Sequence, residues 1–115
     1  MAASDVGAVA ASASGHPVQD VREARAIRAT VGDRVPVTAT KSVLGETLGA
    51  SGALQTIAML QSLRRGTLPG VAGLERRDPD ADVNVSAQAR PLVASRGLVT
   101  AMAIEGNCCA LVIST

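Results

Sequence analysis

The residues with the most chemical reach in this chain are a single histidine, His16, a pair of adjacent cysteines, Cys108 and Cys109, and Lys41 with Glu46 five residues on. Two thiolates can begin a zinc site, but a closed one needs two more ligands at suitable spacing, and none is visible. Adjacent cysteines rarely bridge each other and make no disulfide framework. Cys108 and Cys109 are therefore expected as small buried strand residues. No metal or other cofactor has a ligand set here. His16 stands beside Pro17 and reads as a loop histidine. Lys41 is either solvated or salt-bridged, with Glu46 as the available partner.

The elements that position these residues come from a chain of 115 residues, room for one domain spanning 1–115. Hydrophobic residues make up 47% and charged residues 18%, the balance of a folded α/β domain rather than a disordered segment. A chain of this size buries roughly two-thirds of its unfolded surface. It contains no Phe, Tyr or Trp. The core must come from Val, Leu, Ile, Met, Ala and Cys, without the large single contributions of aromatic rings. That predicts a marginal fold or one completed by a partner.

The net charge is +1, from 11 basic and 10 acidic residues. With no aromatic platform for bases either, nucleic acid is not an expected partner. No apolar run reaches the ~18–20 residues that span a bilayer. Met1 to Ala13 lacks a basic n-region and reads as the start of the domain rather than a signal peptide. A reducing cytoplasm is the default setting.

Val6 to Ala11 is a short apolar run and predicts a buried strand. Asp20 can cap a helix in which Val21, Ala24, Ile27 and Val31 share one face, while Arg22, Glu23, Arg25 and Arg28 point elsewhere. Gly32 and Asp33 stop it. Val35 to Ala39 predicts a second strand, with Pro36 near its start or edge. The Gly-, Ala- and Ser-rich stretch from Thr40 to Ala53 runs into an apolar helix over Leu54 to Leu63, ended by Arg64, Arg65 and Gly66. Small residues at its start let it pack closely inside a layered domain. A long connection follows, with a short strand expected at Val83 to Val85. Leu98 to Ile104 and Cys108 to Ile113 predict two strands joined by a tight turn at Glu105-Gly-Asn107. The order β-α-β-α and then a hairpin implies an α/β fold, its sheet largely parallel with an antiparallel edge.

Three local motifs in this order resemble the C-terminal region of β-ketoacyl synthases, enzymes of the thiolase fold. The first is Val9-Ala-Ala-Ser-Ala-Ser-Gly-His-Pro-Val-Gln-Asp20, where that family has its first-histidine loop. The second is Lys41-Ser-Val-Leu-Gly45-Glu46 with Thr-Leu-Gly-Ala-Ser-Gly-Ala53 behind it, similar to the family's second-histidine motif and small-residue helix, and Gly66-Thr-Leu-Pro69 matches the turn after that helix. The third is Thr100-Ala-Met-Ala-Ile-Glu-Gly-Asn-Cys-Cys-Ala-Leu-Val112, in place of the glycine-rich loop before the last strand.

The resemblance implies a site and also its loss. In the family two histidines hold the malonyl group and stabilise the charge that develops as carbon dioxide leaves, an effect that depends on donor identity. Here the first slot falls on Ser12 and the second on Glu46. A register slip would be needed to return His16 to the first slot. The family's cysteine nucleophile lies in an N-terminal half outside this match, and Cys108 falls near the loop's asparagine. Met102 and Ile104 stand where the loop has phenylalanines. Lys41 matches a family lysine that orders the site. Ser12, Lys41 and Glu46 are thus the candidate positions of a vestigial site, with no confident catalytic residue.

The resemblance further implies a partial thiolase-like half: a mixed sheet with flanking helices and a C-terminal hairpin. A complete half has five strands in the order 3-2-1-4-5. On this resemblance the chain begins at the second strand, and the first, central strand is missing. Its absence would leave a gap unless the flanking strands close up or another chain fills it. The expected function is a non-condensing ketosynthase-like subunit or fragment in fatty-acid or polyketide assembly, similar to chain-length-factor subunits. The alternatives are the C-terminal piece of a split synthase and a decayed remnant. Expected partners are a ketosynthase-like chain or a second copy. An acyl carrier protein could meet Arg22, Arg25 and Arg28 with Arg64 and Arg65, although a solvated helix face explains those arginines as well.

Overall fold

The centre of the sheet is only three residues wide. In the computed structural model, which describes residues 1–115, strand β1 (Ala8–Ala10) is fully buried. It pairs in parallel with β2 (Val37–Thr38) on one edge and with β5 (Arg96–Met102) on the other. β6 (Cys108–Ser114) continues the sheet antiparallel to β5, giving the order β2-β1-β5-β6. Helix α1 is Pro17–Val31, α2 is Lys41–Leu44 and α3 is Ser51–Arg65. β3 (Thr67–Leu68) and β4 (Arg90–Pro91) form a separate small antiparallel pair.

Of the two outcomes expected for the missing strand, the flanking strands close up directly. Gly7 N–H donates to Arg96 O at 3.0 Å, while Val9 and Ala11 donate to Pro36 O and Thr38 O at 2.9 Å each. A buried strand must satisfy its backbone groups on both edges, and β1 does so with strands of this chain. The sheet has four strands, with the flanking strands directly adjacent.

Alternation along β1 divides the core. Ala8 and Ala10 face α3 with Met59, Leu63, Leu68, Leu92 and Val99. Val9 and Ala11 face α1 with Val6, Ile27, Val37 and Leu98. The fully buried side chains of greatest volume are Met59, Leu68, Gln55 and Val9. The small residues of β1 let both helices approach the sheet without rings to fill the space.

Several local expectations change. α1 starts before Asp20, because Pro17 has the fixed φ of a first helical residue and His16 Nδ1 caps it by accepting from Gln19 N–H at 3.3 Å. Asp20 instead accepts from the backbone of Ser14 and Gly15, at 3.2 and 2.9 Å. Glu23 does not point outward with the arginines: it is buried with Ala24 and Ile27. The small-residue stretch is broken by Gly45 at φ +75 and a 3₁₀ turn over Leu48–Ala50. α3 begins at Ser51, three residues before the expected Leu54, and Glu46 lies ahead of it. Val83 to Val85 forms no strand; Asn84 makes one bridge to Pro36. Cys108 and Cys109 are exposed rather than buried. α3 closes as expected at Gly66, at φ +64 with its N–H on Ser62 O. The hairpin turns through Gly106 at φ +96.

Candidate functional site

The chain leaves β1 at Ser12, enters α2 at Lys41 and begins α3 at Ser51. These points converge with the end of β5 on a cavity of about 930 Å³. Its wall includes Ser12, Glu23, Lys41, Glu46, Gln55 and Met102. Ser12, Lys41 and Glu46, distant in sequence, are brought into one chain of contacts.

Glu46 is the hub. Gly45 turns the backbone so that Glu46 Oε2 reaches Lys41 Nζ at 2.7 Å. Its Oε1 accepts from Ser51 Oγ at 2.8 Å and from Leu48 N–H at 2.9 Å. The Lys41 hydrogen bond, then those from Ser51 and Leu48, pull its pKa down to about 2. Lys41 itself is nearly buried, with 8% of its side chain exposed. Its ammonium also approaches Ser12 Oγ at 3.4 Å, and Met102 N–H donates to that same oxygen at 3.2 Å.

Below this chain lie three residues that sequence reasoning did not assign to the site. Glu23 Oε1 accepts from Ser12 N–H at 2.8 Å and from Thr100 Oγ1 at 2.6 Å. Burial pushes its pKa up, more than these hydrogen bonds lower it. Gln55 donates to Ala11 O at 2.8 Å and Thr100 O at 3.3 Å, while its own carbonyl has no partner. One signal for Glu23 existed: it lies four residues before Ile27, and so borders the face assigned to the core.

The chemistry of this arrangement is restricted. An ionised carboxylate accepts hydrogen bonds and donates none, and Lys41 is neutralised by it. His16 lines the cavity from its rim but is exposed and occupied as a helix cap. Cys108 and Cys109 border the cavity from the hairpin.

Glu46 should also stabilise the fold. Its pKa is lowered, so its contribution is present above the ordinary value of 4.5 and is lost as pH falls toward about 2. Glu46→His is expected to lower the melting temperature near neutral pH. The deficit should shrink in high salt, since the pair is partly exposed, and again near pH 2, where the wild type loses the same charge. Thermal melts across salt and pH measure this; an unchanged or raised melting temperature at neutral pH would remove the role.

Residues 1–75 match the model of the β-ketoacyl synthase C-terminal domain. The chain is 41% identical to the 3-oxoacyl-[acyl-carrier-protein] synthase 2 of Mycobacterium leprae over 73% of its own length and 20% of that protein. A β-ketoacyl synthase structure from Burkholderia phymatum superposes with a TM-score of 0.95 at 28% identity, covering 99% of this chain and 28% of that one. The ishigamide ketosynthase/chain length factor structure superposes with a TM-score of 0.91 at 27% identity, over 96% of this chain and 28% of that one. The chain therefore spans less than a third of each of these relatives. By its matched sequence and its superposed α/β architecture, this chain belongs to the β-ketoacyl synthase family and corresponds to the C-terminal domain.

Proposed function

We propose that the chain, residues 1–115 as one domain, is a non-condensing ketosynthase-like subunit in fatty-acid or polyketide assembly that acts with a ketosynthase-like partner. The observation that carries this reading is the Lys41–Glu46 pair, at 2.7 Å. Decarboxylative condensation develops negative charge that aimed donors stabilise. A carboxylate fixed in its ionised state opposes that charge and ties up the neighbouring ammonium. Ser12, in the other slot, is already engaged by Lys41 and Met102. Ser12, Lys41 and Glu46 are on this reading a site converted from catalysis to structure.

A partner is supported by the surface. Val43, Leu44, Leu48 and Ile57 are all more than half exposed, an apolar exposure that a second α/β layer would cover. The similarity to the ishigamide ketosynthase/chain length factor supports a partner of that kind. Arg22 and Arg25 remain exposed and suit an acidic carrier protein, whereas Arg28 is held by Asp82 and Asp33. Arg64 and Arg65 do not join them, because α1 and α3 lie on opposite faces of the sheet. No helix is long and apolar enough to cross a membrane, and a cytoplasmic setting suits two exposed free thiols.

A second reading, the C-terminal piece of a split synthase, draws on the same exposed apolar surface. One experiment separates them. The purified chain is assayed for malonyl decarboxylation and condensation with carrier-protein substrates, alone, with a complete ketosynthase, and with a cysteine-bearing N-terminal half. Binding to the complete enzyme with no turnover of its own is the expected result. Turnover only with the N-terminal half would establish the split enzyme. Turnover by the chain alone, abolished in Lys41→Ala, would overturn both.

A further inference from the structure

Helix α1 presents two carboxylates to the loop that precedes it. Asp20 accepts from Ser14 and Gly15 N–H at 3.2 and 2.9 Å. Glu23, about one turn further on, accepts from Ser12 N–H at 2.8 Å and from Thr100 Oγ1 at 2.6 Å. The loop is thus strapped by its backbone to α1, and through Glu23 to β5. Its inner end carries Ser12 Oγ, which Lys41 Nζ approaches at 3.4 Å.

Glu23 is the weak point of the strap. It is buried, yet no cation pairs with it: the ion pairs of the chain join Arg28, Lys41 and Arg96 to other carboxylates. A buried charge without a counter-charge is unfavourable. The surrounding groups do not relieve it. On α1, Asp20 adds like charge, and Arg22 and Arg25 are exposed. β1 and β5 lead to the uncharged Ser12 and Thr100, and α3 brings Gln55, which donates to Thr100 O. From α2, Lys41 reaches Ser12 and is engaged by Glu46. His16, at the outer end of the loop, is exposed and caps α1 at Gln19. We propose that Glu23 is a proton-operated latch on the Ser12–Gly15 loop: when neutral it keeps the loop closed, and when ionised it draws in water and lifts the Ser12 end, parting Ser12 from Lys41. A neutral carboxyl still offers Ser12 and Thr100 an acceptor oxygen and buries no charge. Asp20 keeps its hold on Ser14 and Gly15, so the opening is confined to the inner end. The latch governs the wall that Ser12 gives the cavity, whatever that cavity binds.

Burial holds the Glu23 proton above the ordinary value of 4.5, and an open loop returns the carboxyl to water. The closed state is therefore favoured at low pH and lost as pH rises through the raised value, with one proton released per opening. Amide exchange of the full chain by NMR, corrected for intrinsic rates, tests this. Ser12 N–H protection should fall by up to about tenfold per pH unit above the transition. Ser12 should also exchange before Val9, whose N–H is held by Pro36 O at the centre of the sheet. Low urea should speed Val9 and leave Ser12 unchanged, the mark of a local opening. Glu23→Gln, neutral at every pH, should make Ser12 protection flat. Should that variant not fold, Thr100→Val removes a hydrogen bond that favours the ion and should move the transition to higher pH. Asp20→Asn removes the like charge and should move it lower. His16→Asn keeps a cap and should leave it in place. Protection that does not fall with pH, a fall that persists in Glu23→Gln or vanishes in His16→Asn, or Ser12 exchange that follows Val9 in both pH and urea, would overturn the proposal.

Discussion

Met59→Ala should lower the unfolding free energy by about 2–5 kcal/mol, the range for truncating a buried methionine. Met59 is 1% exposed and lies in the cluster between α3 and the sheet. It sits over Gly97 so closely that a Cβ there would meet Met59 Cγ and Sδ at 2.6 Å. The side chain therefore fills the room that Gly97 leaves open. Gly97→Ala alone should cost about 1–3 kcal/mol by overpacking. The two substitutions together should cost less than their sum, because alanine at 97 reclaims part of the space vacated at 59. Chemical denaturation of the single and double variants measures this. Strict additivity would show that the two sites do not share the space. Against a typical total of about 5–15 kcal/mol, a core without rings leaves little margin for the first substitution.

What could be read in advance was local. Spacing of Ala24 and Ile27 located α1, the run from Leu54 to Leu63 located α3, and Glu105-Gly-Asn107 located the hairpin. The meeting of Lys41 and Glu46 was also within reach, being five residues apart with a glycine turn between. The centre of the sheet was not, because a three-residue strand carries no local mark of its neighbours; Val9 and Gly7 find their acceptors on distant segments. Glu23 looked solvent-facing because its charge type is rarely buried. It lies inside because Ser12 N–H and Thr100 Oγ1 supply donors that a helix pattern cannot show. The cysteines have the composition of a buried strand, yet both lie exposed on β6.

Glu23→Ala should be the most damaging change at the site. It would leave the buried Ser12 N–H without its acceptor, a cost of about 1–3 kcal/mol, and release Thr100 as well. Glu23→Gln keeps an acceptor oxygen in the same place and should be far milder. The pair also has a pH signature. Burial raises the Glu23 pKa above its ordinary 4.5, so the folded chain holds this proton to higher pH than the unfolded chain. Stability should accordingly fall as pH rises from 4.5 through the raised value, and Glu23→Gln should remove that decline. Glu46 acts in the adjoining window with the opposite sign, losing its contribution as pH drops from 4.5 toward about 2. Urea midpoints across pH for the wild type and both variants test the assignment. A decline that persists unchanged in Glu23→Gln would place its source elsewhere.

The ring-free core has an optical consequence. With no Trp, Tyr or Phe, the chain emits no intrinsic fluorescence and absorbs almost nothing in the near ultraviolet, so its unfolding must be followed through the peptide bond. The same silence makes it an unusually clean component in a mixture. Any tryptophan emission from a mixture with an aromatic-containing partner belongs wholly to that partner, and a change on mixing reports its surroundings without a background to subtract. A single tryptophan at exposed Val93 would likewise be a lone lamp on a dark chain.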